Sequence, residues 1–208
     1  MSHIGILGGT FNPIHLGHLL MGRAAAEAAG LDRVLVVPCN ISPFKCGRSE
    51  QTSADDRLEM VRLSIEGDPL FELCALDLER GGVSYAVDTV EALRKKYSDD
   101  RFSFIIGMDS LQGLSRWYRV NAMLELCDVL TVDRPGVDAA AVGALDFPAA
   151  VRARLLSGVV RGRLCDISST EIRRRIAEGR SIRYLVCPAV EAYIRSHNLY
   201  AAKKEECY

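Results

Sequence analysis

The sequence predicts an α/β protein built on a doubly wound parallel sheet. Short apolar runs of strand length, helix-period stretches between them, and a glycine-rich turn directly after the first run carry that expectation. HIGIL (3–7), RVLVVP (33–38), FSFIIG (102–107) and VLTV (129–132) are almost continuously apolar, the pattern of parallel strands covered on both faces. HLGHLLMGRAAAEAA (15–29) follows the first strand, with Leu16, Leu20 and Ala24 starting its apolar face. Leu58, Val61 and Ile65 mark a second helix, and Val87 and Val90 begin a third. Strand and helix in alternation imply right-handed crossovers over one sheet, whose ligand lies at the strands' carboxyl ends.

Past the fourth run the pattern changes. From Val137 to about Gly158 the chain is rich in alanine and lacks clear strand signals, so it reads as an excursion after which the sheet has ended. DISSTEIRRRI (166–176) predicts a helix, and Pro188 with Val190, Tyr193 and Ile194 predicts another. The expected organisation is a single domain over 1–208, with a Rossmann-like core over 1–165 and a small helical C-terminal subdomain over 166–200. The tail AAKKEECY is expected to fray.

Composition narrows the function classes. A hydrophobic fraction of 49% with 25% charged residues is that of a globular chain, and a net charge of −1 gives no general pull toward nucleic acid or an anionic membrane. Any anion site must therefore be built locally. MSHIGILGG lacks a basic segment followed by a signal-length apolar run, and no stretch approaches the ~20 apolar residues of a membrane span. Seven cysteines with no CxxC pair argue against a zinc site or a disulfide framework. The expectation is a cytoplasmic protein with reduced cysteines.

GGTFNPIHLGH (8–18) supplies the local anion site. Glycines permit a tight turn and a close backbone approach, and the start of the following helix presents N–H groups and a partial positive charge. His15 and His18, spaced i, i+3, project to one side if both lie in the first turn. Such a pair also suits a metal, yet no third ligand accompanies it by local spacing.

Within 166–176, Ser168 and Glu171 form a capping box that starts the helix. Ser169 and Thr170 then add donors at a second positive helix terminus. Ile172 and Ile176 make the buried stripe, Arg173 and Arg175 flank it, and Arg174 points outward. Taken alone, this is also the pattern of an ordinary capped helix with a solvated basic face.

Together these motifs resemble the nucleotidylyltransferases with the HxGH signature, and within them the bacterial nicotinate-nucleotide adenylyltransferases. The resemblance spans nearly the whole chain: besides GGTFNPIHLGH and ISSTEIR it includes NISPFK (40–45), SYAVDT (84–89), GMDSLQGLSRWY (107–118), DRPG (133–136) and SIRYLVCPAVEAYIRSHNLY (181–200). It implies adenylyl transfer from MgATP to nicotinate mononucleotide, giving nicotinate adenine dinucleotide and pyrophosphate in NAD biosynthesis. It implies Mg2+ as cofactor with ATP as substrate, two small-molecule substrates, no nucleic-acid or membrane partner, and leaves a homo-oligomer open.

By the same resemblance Gly8, Gly9, Thr10 and Phe11 line the nucleotide turn, His15 and His18 hold ATP phosphates, and Ser169, Thr170 and Arg173 bind the triphosphate. Lys45 and Arg134 match cationic contacts near the transferring phosphate. By themselves they also fit a loop lysine and a strand-end arginine. Gly107 and Asp109 match ribose contacts, although Asp109 also suits the N-cap of the next segment. Trp117 matches the residue that packs on the pyridine ring, with the backbone near Tyr85 and Ala86 facing the ring's carboxylate. A single tryptophan equally suits a core.

Two positions depart from the family pattern. Many members carry Pro-Pro-His-Lys after the asparagine, where this chain has Ser42, Pro43, Phe44 and Lys45, so a polar phosphate contact at 44 is lost. Ala86 replaces a frequent threonine. Phosphopantetheine adenylyltransferases share both phosphate motifs but are shorter and lack the Gly-x-Asp to tryptophan pattern. A class I aminoacyl-tRNA synthetase needs an anticodon-binding domain for which there is no room, and a nucleotide sensor without catalysis has no need of the cations.

Overall fold

The computed structural model describes residues 1–44, 52–133, 145–163 and 165–202. Among them six strands form one sheet: β1 (His3–Gly9), β2 (Arg33–Pro38), β3 (Phe71–Leu73), β4 (Arg101–Gly107), β5 (Asp128–Val132) and β6 (Val159–Val160). All neighbours pair in parallel, in the order β3-β2-β1-β4-β5-β6. The winding reverses between β1 and β4, which makes the carboxyl ends of those two strands the switch point of a doubly wound sheet.

The four strands expected from apolar runs are all present, with β1 extended through Gly8 and Gly9. Two others were not foreseen, and both are edge strands. β3 has three residues and β6 has two, too few to show any period in the sequence. β6, directly after the alanine-rich excursion, corrects the expectation that the sheet has ended by then. Val132 pairs with Val160, and the Asp133 N–H donates to the Val160 carbonyl at 2.8 Å. Of that excursion, 145–158 contains a helix, while 137–144 lies outside the described residues.

The helices are α1 (Leu16–Ala29), α2 (Ala54–Ile65), α3 (Leu76–Arg80), α4 (Ala86–Lys96), α5 (Met108–Gln112), α6 (Val120–Leu126), α7 (Ala149–Ser157), α8 (Ser169–Ala177) and α9 (Pro188–Ser196). Alternating strand residues feed two apolar layers. Ile4, Ile6, Leu35, Val37, Phe102, Phe104 and Ile106 join Val87 and Val90 of α4 and Met123 of α6 on one face. Leu7, Val34, Val36, Ile105 and Leu130 join Ala25 of α1, Met60 and Val61 of α2, Ile172 of α8, and Val190 and Ile194 of α9 on the other. The C-terminal helices thus share a core with the sheet. Gly22 lets α1 approach closely, since a Cβ there would stand 2.7 Å from the Phe71 ring. No described helix is long and apolar enough to cross a membrane.

Candidate active site

At the switch point a cleft of about 710 Å³ is lined by Gly8, Gly9 and Thr10 after β1, His18 of α1, and Gly107 and Asp109 at the β4–α5 junction. This lies within the ~300–1,000 Å³ of small-molecule sites. The turn after β1 is shaped by its own side chains. A Cβ on Gly9 would sit 2.9 Å from the Phe11 ring, so the turn requires glycine at that position. Phe11 adopts a left-handed φ of 50°, is buried, and meets the His18 ring edge-on at 5.0 Å.

The two histidines occupy different places. His15 is the N-cap of α1 with extended backbone, and its N–H donates to His18 Nδ1 at 3.2 Å. A ring nitrogen that accepts this bond carries no proton, so the neutral His18 imidazole is protonated at Nε2 and can donate to a phosphate oxygen. His15 is 3% exposed and stacks against His18 from behind. His18 lines the cleft, whereas His15 supports it.

The start of α1 also offers fewer open donors than its sequence suggests. The Leu16 N–H donates to the Leu185 carbonyl at 2.9 Å, and the His18 N–H returns to the His15 carbonyl at 2.9 Å. The C-terminal segment packs on this helix start and takes up part of its hydrogen-bonding capacity.

Helix α8 begins at the predicted point. The Ser168 hydroxyl accepts the Glu171 N–H at 3.2 Å, but the Glu171 carboxylate faces Arg175 at 3.8 Å, so the hydroxyl half of the capping box is the half observed. Ile172 is fully buried and Arg174 is exposed, as the helical period requires. Arg173 Nη1 donates to the Asn12 carbonyl at 2.7 Å and Nη2 reaches Thr170 Oγ1 at 3.4 Å. The Ser169 hydroxyl donates to the Pro13 carbonyl at 2.9 Å. Ser169, Thr170 and Arg173 therefore stand beside the first loop and not among the residues that line the cleft.

Tyr85, Ala86 and Trp117 are in the same cleft wall. Tyr85 is the N-cap of α4 and Ala86 its first residue. Trp117 is half-buried and packs against the core on the α4 face of the sheet, its ring T-shaped to Phe104 with centroids 6.0 Å apart. Phe44, 66% exposed, also lines the cleft, with its ring centroid 6.2 Å from that of Trp117. Gly107, not Asp109, is the N-cap of α5, which leaves Asp109 exposed on the cleft and excludes the capping alternative. Lys45 and Arg134 lie outside the described residues.

Two charged residues at the site escaped the sequence reading. Arg57 is 2% exposed and donates to the carbonyls of Thr10 (3.0 Å), Cys39 (2.6 Å) and Asn40 (3.1 Å), tying the ends of β1 and β2 together. Its signal was a cation three and four positions before Met60 and Val61 on an apolar helix face. Asp77 is 4% exposed on the cleft wall, accepting from Thr89 Oγ1 at 2.7 Å and facing Arg80 at 3.0 Å. Burial pushes its carboxyl above the usual aspartate range, against the opposing pull of Thr89 and Arg80.

The comparisons with known proteins agree with this geometry. The family model described as "Cytidylyltransferase-like" matches residues 6–175. A relative from Halalkalibacterium halodurans, "Probable nicotinate-nucleotide adenylyltransferase", is 43% identical over 96% of this chain and 92% of its own length. One of the same name from Citrifermentans bemidjiense is 42% identical over 95% of this chain and 97% of its own. Among solved structures, the Plasmodium falciparum nicotinic acid mononucleotide adenylyltransferase complexed with NaAD superimposes with a TM-score of 0.72, covering 96% of this chain and 98% of that one. At 18% identity, this likeness speaks for the fold. By its match to the family model and its identity to full-length relatives, the chain belongs to the nicotinate-nucleotide adenylyltransferases of the cytidylyltransferase-like family.

Proposed function

We propose that this chain transfers the adenylyl group of MgATP to nicotinate mononucleotide, giving nicotinate adenine dinucleotide and pyrophosphate in NAD biosynthesis. The observation that carries the reading is the His18 ring, set as an Nε2–H donor on a cleft at the sheet's switch point. An oxygen of the acceptor's 5′-phosphate attacks the α-phosphorus of ATP in line, and the bond from that phosphorus to the bridging oxygen breaks. Both bridging electrons leave with pyrophosphate. The attacking phosphate is already anionic, so no general base and no covalent enzyme intermediate are needed. Catalysis is then positioning plus stabilisation of charge on the leaving group.

In this reading His18 donates to the triphosphate and His15 holds it in place, while Gly8, Gly9, Thr10 and Phe11 shape the turn beneath the nucleotide. Ser169, Thr170 and Arg173 approach the phosphates from α8, and Lys45 and Arg134 supply further positive charge. Gly107 and Asp109 take the ribose, Trp117 the pyridine ring, and the N–H groups near Tyr85 and Ala86 the ring carboxylate. A Mg2+ ion accompanying ATP would offset the charge of the triphosphate beside His18. Among the described residues no group of three or more His, Cys, Asp or Glu could hold a metal.

The direct test is pyrophosphate release from MgATP with a panel of acceptor phosphates. Release with nicotinate mononucleotide is expected. A folded protein that releases none with any acceptor would overturn the reading.

A further inference from the structure

Asn12, in the turn after β1, joins two parts of the C-terminal segment. Its backbone carbonyl accepts Arg173, and its side-chain Oδ1 accepts the Tyr200 hydroxyl at 2.5 Å across 188 positions. Both members of the second pair are buried, Asn12 at 7% exposed and Tyr200 at 5%. The chain bends sharply to achieve this. Asn198 and Tyr200 both hold left-handed backbone, with φ of 50° and 63°, a conformation a bulky side chain rarely adopts without surrounding contacts. Burial also pushes the Tyr200 phenol upward, so it stays a protonated donor. The residue before Asn12 is Phe11, whose ring edge meets His18.

We propose that Tyr200 is a positioning residue for the nucleotide site: through Asn12 its hydroxyl fixes the turn that aims His18 at the ATP phosphates and keeps Arg173 beside it. The inference rests on the adenylyl-transfer reading above. Removing the hydroxyl leaves Asn12 Oδ1 buried without this donor, and the turn must shift to recover one. The shift acts on the nucleotide end, because Tyr85 and Ala86 are carried by α4, Trp117 follows α5, and none of the three makes a hydrogen bond to Asn12 or Tyr200 among the contacts described.

The test compares Tyr200→Phe, Asn12→Ser and the double variant, each checked for folding by circular dichroism. Tyr200→Phe should lower kcat/KM for ATP by about tenfold, the scale of a buried polar group losing its partner, and weaken ATP binding in equilibrium dialysis. KM for nicotinate mononucleotide should stay within about twofold, and the double variant should be no worse than either single change, as for two ends of one interaction. Asn12→Ser carries the same expectation, so the test does not depend on one variant folding. Wild-type kinetics in both folded single variants, an equal loss toward both substrates, or additive losses in the double variant would each overturn the proposal. A wild-type chain that turns over no acceptor defeats the enzyme reading instead, and is told apart by that control.

Discussion

The imidazole rings of His15 and His18 lie stacked, their centroids 3.7 Å apart and their planes 28° from parallel. The HxGH spacing thus builds a supported donor in place of two equivalent ones. His15 packs behind, its backbone N–H fixes the proton of its neighbour on Nε2, and His18 faces the cleft.

The first prediction follows from that division. His18→Ala should leave the protein folded and lower turnover by about 10²-fold or more, the scale of losing one preorganised donor to developing charge. Steady-state pyrophosphate release on protein with unchanged circular dichroism is the measurement. Normal turnover would remove His18 from the mechanism.

The second sets Arg173 against Arg174. Arg173 is half-buried beside Asn12, while Arg174 faces solvent on the same helix. Arg173→Ala should raise KM for ATP or lower turnover, and Arg174→Ala should do little. Equal effects in the two variants would mean that the arginine at the first loop does not act on the nucleotide.

Much of this was legible before the fold was known, for reasons particular to each residue. The central strands announce themselves because both faces are covered, whereas β3 and β6 are edge pieces too short to show a pattern. The register of α8 was readable because Ile172 and Ile176 fix its buried stripe and Arg174 must then point away. The Tyr200–Asn12 contact was not, since a hydrogen bond spanning 188 positions leaves no local spacing to detect. Asp77 was hidden for another reason. Arg80 is a local partner three positions on along α3, but Thr89 belongs to α4, so that bond exists only after the two helices come together.

The third prediction concerns the seam between α2 and α9. Tyr193 donates to Asp56 at 2.8 Å, and Ser53 donates to the same carboxylate at 2.6 Å. Burial acts to raise the Asp56 carboxyl, but the bonds from Ser53 and Tyr193 outweigh it and hold it below the usual aspartate range. A depressed carboxyl contributes stability that is complete above its unfolded value and lost as pH falls through the folded one. Tyr193→Phe should cost about 1 kcal/mol at neutral pH, the value for a bond to a charged group reduced by solvent exposure. The difference in Tm between variant and wild type should shrink as the pH falls below about 4. A difference that stays constant down to acid pH would show that the ionised carboxylate is not what Tyr193 holds.

The last prediction concerns the acceptor. Tyr85 caps α4 through its extended backbone without a side-chain cap bond, and Tyr85 and Ala86 both line the cleft. A helix start of this kind favours an anion, and Ala86 preserves the backbone donors even though it lacks the hydroxyl of a threonine. The nicotinate carboxylate offers two charged acceptors to these donors. The neutral carboxamide offers one weaker acceptor and an NH2 group that must point at other N–H groups. Asp77 lines the same cleft and sharpens the question, because a carboxylate there would oppose an acidic ring. Its burial, its bond from Thr89 and the Arg80 guanidinium at 3.0 Å reduce that opposition. Since a site that leaves buried polar groups unpaired can discriminate by orders of magnitude, nicotinate mononucleotide should be clearly preferred over the amide, and phosphopantetheine should not be used. Measuring kcat/KM for the three acceptors at fixed MgATP decides it. Equal values for acid and amide would sink the backbone-carboxylate account while sparing the reaction type, and phosphopantetheine as the best acceptor would overturn the choice of substrate altogether.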